Sequence, residues 1–345
     1  MIREIIGRKM EAERKRADLS LEEVAGKIGL SRQTLSLVEK GQKVIDSEKL
    51  LKFARLVGRS ISYFFEEKTP EVQLFFRADS AQRITPALEA SLVGRYHHYV
   101  ELEETLGLEQ LAQLPPSISI ESFSGNKQEF IEGVAREERK RLGAGEEPIK
   151  NPFEFLENNG IKVVVLPLGD RDLFGATCYK EKSGPCIFVN ADDGIPAVRR
   201  IFTLVHEYGH LIFHRREFVD LNTFRYRKGI GKGKASEEKV ADSFAGAFLV
   251  PEERLKKVAP RGYRITPADI MYIKQIFNVS FKTVVKRLHQ CGVISSRQNT
   301  IFHKWLNSKG FSKTEPEPTI APEQLQVNKR LDNLLRKAYE TISSP

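Results

Sequence analysis

The chain has 345 residues, room for two or three domains of about 100–200 residues each, and its 40% hydrophobic content supplies real cores. It holds no uninterrupted apolar run of membrane-spanning length, and the charged opening MIREIIGRKMEAERKR lacks the apolar core of a signal peptide, so the expectation is a cytoplasmic protein with no membrane partner. The net charge of +9 is concentrated. Residues 256–313 carry twelve Lys and Arg against a single Asp, while residues 1–68 are net +4 and 69–150 net −5; such a block points to a polyanionic or acidic partner.

Residues 1–68 read as an all-α unit. Ser20 and Glu23 form an S-x-x-E capping box that opens a helix with Leu21, Val24, Ala25 and Ile28 on one face. Gly29 suits its left-handed end, and Ser31 caps a second helix, RQTLSLVEK, ended by Gly41. A further helix is expected from about Ser47 to Val57. Helix, short turn, helix is the DNA-reading pattern whose second helix enters the major groove by its N-terminal end. Arg32, Gln33 and Ser36 then face base edges, with Thr34 and Lys40 nearer phosphates. Arg suits guanine and Gln suits adenine. Double-stranded operator DNA is the expected partner, with a homodimer through this domain.

Residues 69–150 read as an acidic helical connector, broken near Pro115-Pro116 and Gly143-Ala144-Gly145. From 151 the pattern becomes α+β. A short helix closes at Gly160, and strands follow in IKVVVLPL, 173–180 and 185–190, the last two joined at Lys182-Ser183-Gly184. A helix, FTLVHEYGHLIFH, precedes a second, EEKVADSFAGAFLV, that ends at Pro251. Residues 256–345 read as mainly helical, with a Pro-rich linker or frayed segment at 314–322. In FKTVVKRLHQ, Lys282, Lys286 and Arg287 fall at helical spacing, for DNA or an acidic protein. Cys178, Cys186 and Cys291 show no C-x-x-C spacing and read as reduced thiols.

HEYGH is an H-E-x-x-H motif. Positions i and i+4 share a helix face, so His206 and His210 can chelate one ion while Glu207 takes a proton from water beside it. Zinc is the default for such a donor set, with manganese or iron as substitutes. The third ligand is expected on the next helix at Glu238, with Glu237 the neighbouring alternative. Asp242 follows one turn after Glu238 on the same face. This E-x-x-A-D spacing resembles the pattern of gluzincin peptidases such as thermolysin, and the resemblance implies that Asp242 holds a zinc-bound histidine. A metzincin needs a third His where Arg216 stands, so His214 is expected behind a ligand or at the rim rather than on the metal. Tyr179, His214 and Tyr208 are candidates to stabilise a transition-state oxyanion. GATCY is expected along the cleft edge, where a peptide would add as a strand. GIGKGKAS lacks P-loop spacing and reads as a flexible basic loop.

The signature LSLEEVAGKIGLSRQTLSLVEKG resembles the Xre/Cro-C1 helix-turn-helix repressor domains. FGATCY, IFVN, FTLVHEYGHLIFH and EEKVADSFAGAFLVP in 151–255 resemble the ImmA/IrrE metallopeptidases, with Ala241-Asp242 where that family commonly has Ala-Asn. The resemblance implies a multidomain protein with a gluzincin-like domain built on a small sheet. It also implies a zinc endopeptidase that cuts an Xre-type repressor, or its own N-terminal domain, to control stress-response or mobile-element genes. The alternative is a transcriptional regulator or antitoxin-like protein whose peptidase fold senses a metal or ligand without proteolysis.

Overall fold

The computed structural model describes residues 2–17, 19–57, 59, 61–65, 74–78, 85–108, 114–115, 117–120, 123, 125–215, 232–261, 264–311 and 314–343. Arg216 and Gly229–Gly231, which the sequence reading singled out, lie outside them. The chain divides into two compact units, Met1–Glu71 and Val72–Pro345.

The first unit contains α1 (Ile2–Arg16), α2 (Leu21–Ile28), α3 (Arg32–Glu39), α4 (Ser47–Leu56) and a 3-10 turn at Ser62–Phe64. Met10, Val24, Ile28, Leu35, Val38, Leu50, Phe53 and Phe64 form its core. Ser20 and Glu23 cap α2 reciprocally, and Gly29 ends it at φ 74, the left-handed geometry that glycine adopts without a Cβ penalty. Buried Glu39 on α3 receives Arg14 of α1 through two hydrogen bonds of 2.7 and 2.9 Å, a bidentate clasp.

The second unit is built on a four-stranded sheet of order β1-β3-β4-β2. Its strands are β1 (Leu74–Ala78), β2 (Lys162–Leu166), β3 (Leu173–Lys180) and β4 (Gly184–Asn190). β3 is antiparallel to both β1 and β4, and β2 runs parallel to β4. Alternation along the strands feeds two cores. Val163, Val165, Ile187 and Val189 face α8 (Ala197–Phe213) and its neighbours. Val164, Ala176, Cys178, Cys186 and Phe188 pack with Tyr96 and Tyr99 of α5 (Pro86–Thr105) and with Leu334 and Ala338 of α14 (Lys329–Ser343). All three cysteines are free thiols.

Five sequence expectations change. The connector is not wholly helical, because β1 joins the sheet. The expected connector, peptidase and C-terminal regions fall within the one unit Val72–Pro345, since one apolar core runs from α6 (Lys127–Arg141) through α8 and α9 (Lys232–Leu249) to α11 (Pro267–Phe277), α12 (Phe281–Gln290) and α13 (Ser296–Ser308). The segment 314–322 is pinned rather than frayed: Glu315 accepts the Phe281 N–H at 2.6 Å and pairs with Lys274 at 3.1 Å. Arg287 is no surface residue. It is fully buried and bonds the Glu132 carboxylate and the Val250 carbonyl, whereas Lys282 and Lys286 stay exposed. Lys232–Ser236 of the expected basic loop belongs to α9. Among the described residues no helix is long and apolar enough to cross a membrane.

Candidate metal centre

The candidate site forms where α9 crosses α8. The last turns of α8 are buried all round, from Thr203 to Phe213, as expected of a helix with apolar neighbours on every side. Helical spacing stacks His206 and His210, whose Nε2 atoms lie 3.0 Å apart. Glu238 reaches across from α9, with one carboxylate oxygen 3.2 Å from His206 Nε2 and the other 3.5 Å from His210 Nε2. These donor atoms all lie within 4.8 Å of one another. Ligands held tetrahedrally at about 2.0–2.2 Å from zinc sit roughly 3.3–3.6 Å apart, so two imidazoles and a carboxylate at these separations fit a zinc-type centre. Glu237 is half-buried and outside the convergent group.

Each histidine is held from behind. Asp242 Oδ1 lies 2.8 Å from His206 Nδ1, the carboxylate–histidine pairing that turns Nε2 toward an ion. His214 Nδ1 lies 3.0 Å from His210 Nδ1. If His210 Nε2 is to keep its lone pair for a metal, its Nδ1 must carry the proton and donate to His214. His214 must then be neutral, with its own proton on Nε2. Burial first, then the neighbouring His210, push the His214 pKa down to about 3, in keeping with that neutral state. Its Nε2 is buried and has no partner among the described residues. Burial alone would raise the Glu238 carboxyl, but hydrogen bonds and charge attraction from His206 and His210 outweigh it and hold the group well below the usual carboxylate range.

Glu207 is buried on the same turn, and β3 lies against it. A Cβ added at Gly175 would fall 3.3 Å from Glu207 Cγ and 2.7 Å from Thr203 Cγ2. Tyr179 follows on the same face of β3, with the Arg215 guanidinium 5.7 Å from its ring centre. Tyr208 points elsewhere. Its hydroxyl bonds the Glu138 carboxylate and lies 3.3 Å from an Arg141 nitrogen, so it is committed to the core and not to the site.

In the first unit, Arg32, Gln33 and Lys40 are exposed, and Thr34 and Ser36 half-buried, on and just after α3. Ser31 caps α3 by accepting the Thr34 N–H at 3.1 Å, and its hydroxyl donates to the Thr34 hydroxyl at 3.0 Å. Arg32 is 3.9 Å from the exposed Glu22 carboxylate, a weak solvated pair.

Residues 10–64 match the family described as helix-turn-helix, and residues 156–289 the family described as IrrE N-terminal-like domain, a peptidase family. The chain is a helix-turn-helix domain fused to an IrrE-like domain. The helix-turn-helix supplies DNA binding, and the IrrE-like match continues through α11 and α12. No curated protein matches the chain. Among solved structures, the apo form of the competence regulator ComR from Streptococcus vestibularis is 13% identical, covering 90% of this chain and 100% of its own, with a TM-score of 0.19. Bacillus thuringiensis PlcR, solved with the peptide PapR7 and DNA, is 10% identical over 90% of this chain and 100% of its own, with a TM-score of 0.20. Scores that low carry no argument about this chain.

Two residues that shape the IrrE-like site escaped the sequence reading, and both are glycines. A Cβ at Gly209 would meet Phe244 Cδ1 at 3.1 Å and the Ala241 Cα at 3.3 Å, so the bare backbone there lets α9 come close enough for Glu238 to reach the histidines. Gly175 does the same for β3 and Glu207. The available signal was a glycine inside a helix and another inside a strand, places where glycine costs stability and so calls for a packing reason.

Proposed function

We infer that the chain is a DNA-binding regulatory zinc metalloendopeptidase of the cytoplasm, which cuts an Xre-type repressor, or itself, and so controls stress-response or mobile-element genes. One observation carries this reading: His206, His210 and Glu238 converge beside the buried carboxylate of Glu207. His206, His210 and Glu238 would hold the ion, and zinc, when bound, polarises a carbonyl and makes water acidic enough to ionise near neutral pH. Glu207 accepts the attacking water's proton on its carboxylate and passes it to the amide nitrogen as the C–N bond breaks. Asp242 and His214 keep both imidazoles in the tautomer that faces the ion. The Tyr179 hydroxyl is the donor offered to the developing oxyanion; His214, behind His210 with its Nε2 buried, supports the ligand instead. Arg32, Gln33 and Ser36 read bases, while Thr34 and Lys40 position the backbone; binding as a dimer would match a two-fold operator.

Glu207→Gln tests the reading. The variant should retain zinc at the wild-type stoichiometry, measured by elemental analysis, while cleavage of candidate Xre-type repressors falls by about 10²–10⁴-fold. Regulation that is unchanged in cells carrying Glu207→Gln would instead mark the domain as a metal or ligand sensor.

A further inference from the structure

β3 is the strand beside the general base, and an extended substrate adding to this sheet would use its open edge. That edge is taken. β4 pairs with one side of β3 and β1 with the other. The β1 register sets Leu74 opposite Cys178, Phe75 opposite Thr177, Phe76 opposite Ala176 and Arg77 opposite Gly175. Gly175 is the residue whose backbone packs on Glu207, so the Arg77 backbone is the segment directly across the ladder from it. The ladder then slips between Arg77 and Ala78. A strand edge can hydrogen-bond only one strand at a time.

We propose that β1 occupies the position of the substrate strand, so that the site is closed by the chain's own segment and opens when β1 is displaced. The proposal rests on the peptidase reading and adds its regulation. The competitor is main-chain in character: a substrate must offer an extended segment able to form the antiparallel ladder that β1 now forms. The sequence position of β1 matters as well. It begins at Leu74, just after the first unit ends at Glu71. A partner that engages the helix-turn-helix therefore has a covalent handle on the strand that covers the site, and β1 itself is the first segment presented for cutting in cis.

The test reads binding rather than turnover, in full-length Glu207→Gln loaded with zinc. The probe is a fluorescein-labelled peptide of residues 72–80, followed by anisotropy, with a scrambled peptide as control. Phe75→Pro and Phe76→Pro are introduced separately. Successive N–H groups of a strand point to opposite sides, so one proline removes a ladder hydrogen bond to β3 and the other does not. Only the ladder-breaking proline should tighten peptide binding, by about tenfold or more, the factor by which a closed state depresses apparent affinity. Hydrogen exchange on the Glu207→Gln parent gives a second reading that needs no proline. Saturating peptide should expose the amides of 74–78 while those of 173–180 stay protected. Equal binding in the parent and both proline variants, or unchanged protection at 74–78, overturns the proposal. Displacement of β1 without any cleavage by the chain with Glu207 intact would overturn the peptidase reading and leave the occupancy of β3 standing.

Discussion

Asp242 and His214 decide how the two histidines present themselves. An imidazole ligates through one nitrogen only if the proton sits on the other, and the proton goes where an acceptor waits. Asp242 supplies that acceptor for His206 at 2.8 Å. Asp242→Ala should therefore weaken zinc binding by about 10–100-fold, the usual loss when such a supporting carboxylate is removed. Competition against a chromogenic chelator measures it. Glu237→Ala, which changes the neighbouring carboxylate outside the donor group, should leave the affinity as it was. The pairing of Glu238 with Asp242 could be read from their spacing on one helix face. The link from His214 to His210 was only one of two possibilities, because i,i+4 spacing does not say whether a histidine stands behind a ligand or at the rim.

At the scale of elements, the site depends on how closely two helices and a strand approach. In the proposed function α8 would provide two ligands and the base, and α9 the third ligand, so their separation sets whether the donor atoms meet. Gly209→Ala tests this. Alanine is the better helix former by roughly 0.5–1 kcal/mol, but its Cβ would lie 3.1 Å from Phe244 Cδ1 and 3.3 Å from the Ala241 Cα. Overpacking of that kind costs about 1–3 kcal/mol. The melting temperature of the metal-free protein should fall, and zinc affinity with it as Glu238 moves outward. Gly133→Ala in α6, where an added Cβ meets nothing within 4 Å, should hold or raise the melting temperature. A fall of equal size in both variants would show that the crossing is not the cause.

At the scale of the molecule, Arg287 ties distant segments into one body. Fully buried on α12, it bonds Glu132 on α6 and the carbonyl of Val250 just after α9. Removing one member of a buried ion pair leaves the other charge without compensation and costs about 3–5 kcal/mol. Arg287→Ala should therefore lower the unfolding free energy of the second unit by that amount, read from denaturant titration, while it still unfolds in one transition. Separate transitions for 72–255 and 256–345 would mean that the continuous core does not couple them. The same burial explains why the basic stripe expected from FKTVVKRLHQ reduces to Lys282 and Lys286 at the surface. Helical spacing places Arg287 beside Lys286 in sequence but cannot tell which turn of α12 meets α6.

The local structure was legible because it rests on short-range chemistry. Capping boxes, left-handed glycines, the period of 3.6 in α2, α3 and α8, and the β-branched run of β2 each act within a few residues. So does the H-E-x-x-H spacing, which is why the helix-turn-helix and the helix bearing His206, Glu207 and His210 were readable without a structure. Whatever depends on partners far along the chain had to wait for the tertiary fold. β1 looks like five residues of an otherwise helical connector until β3, about a hundred residues later, supplies its hydrogen bonds. Arg287 and the segment 314–322 look like surface until their buried partners arrive. The sequence alone therefore determined which side chains are available for chemistry. The tertiary structure decided which of them converge, how closely the glycines let them approach, and that the strand edge beside Glu207 is already filled by the chain itself.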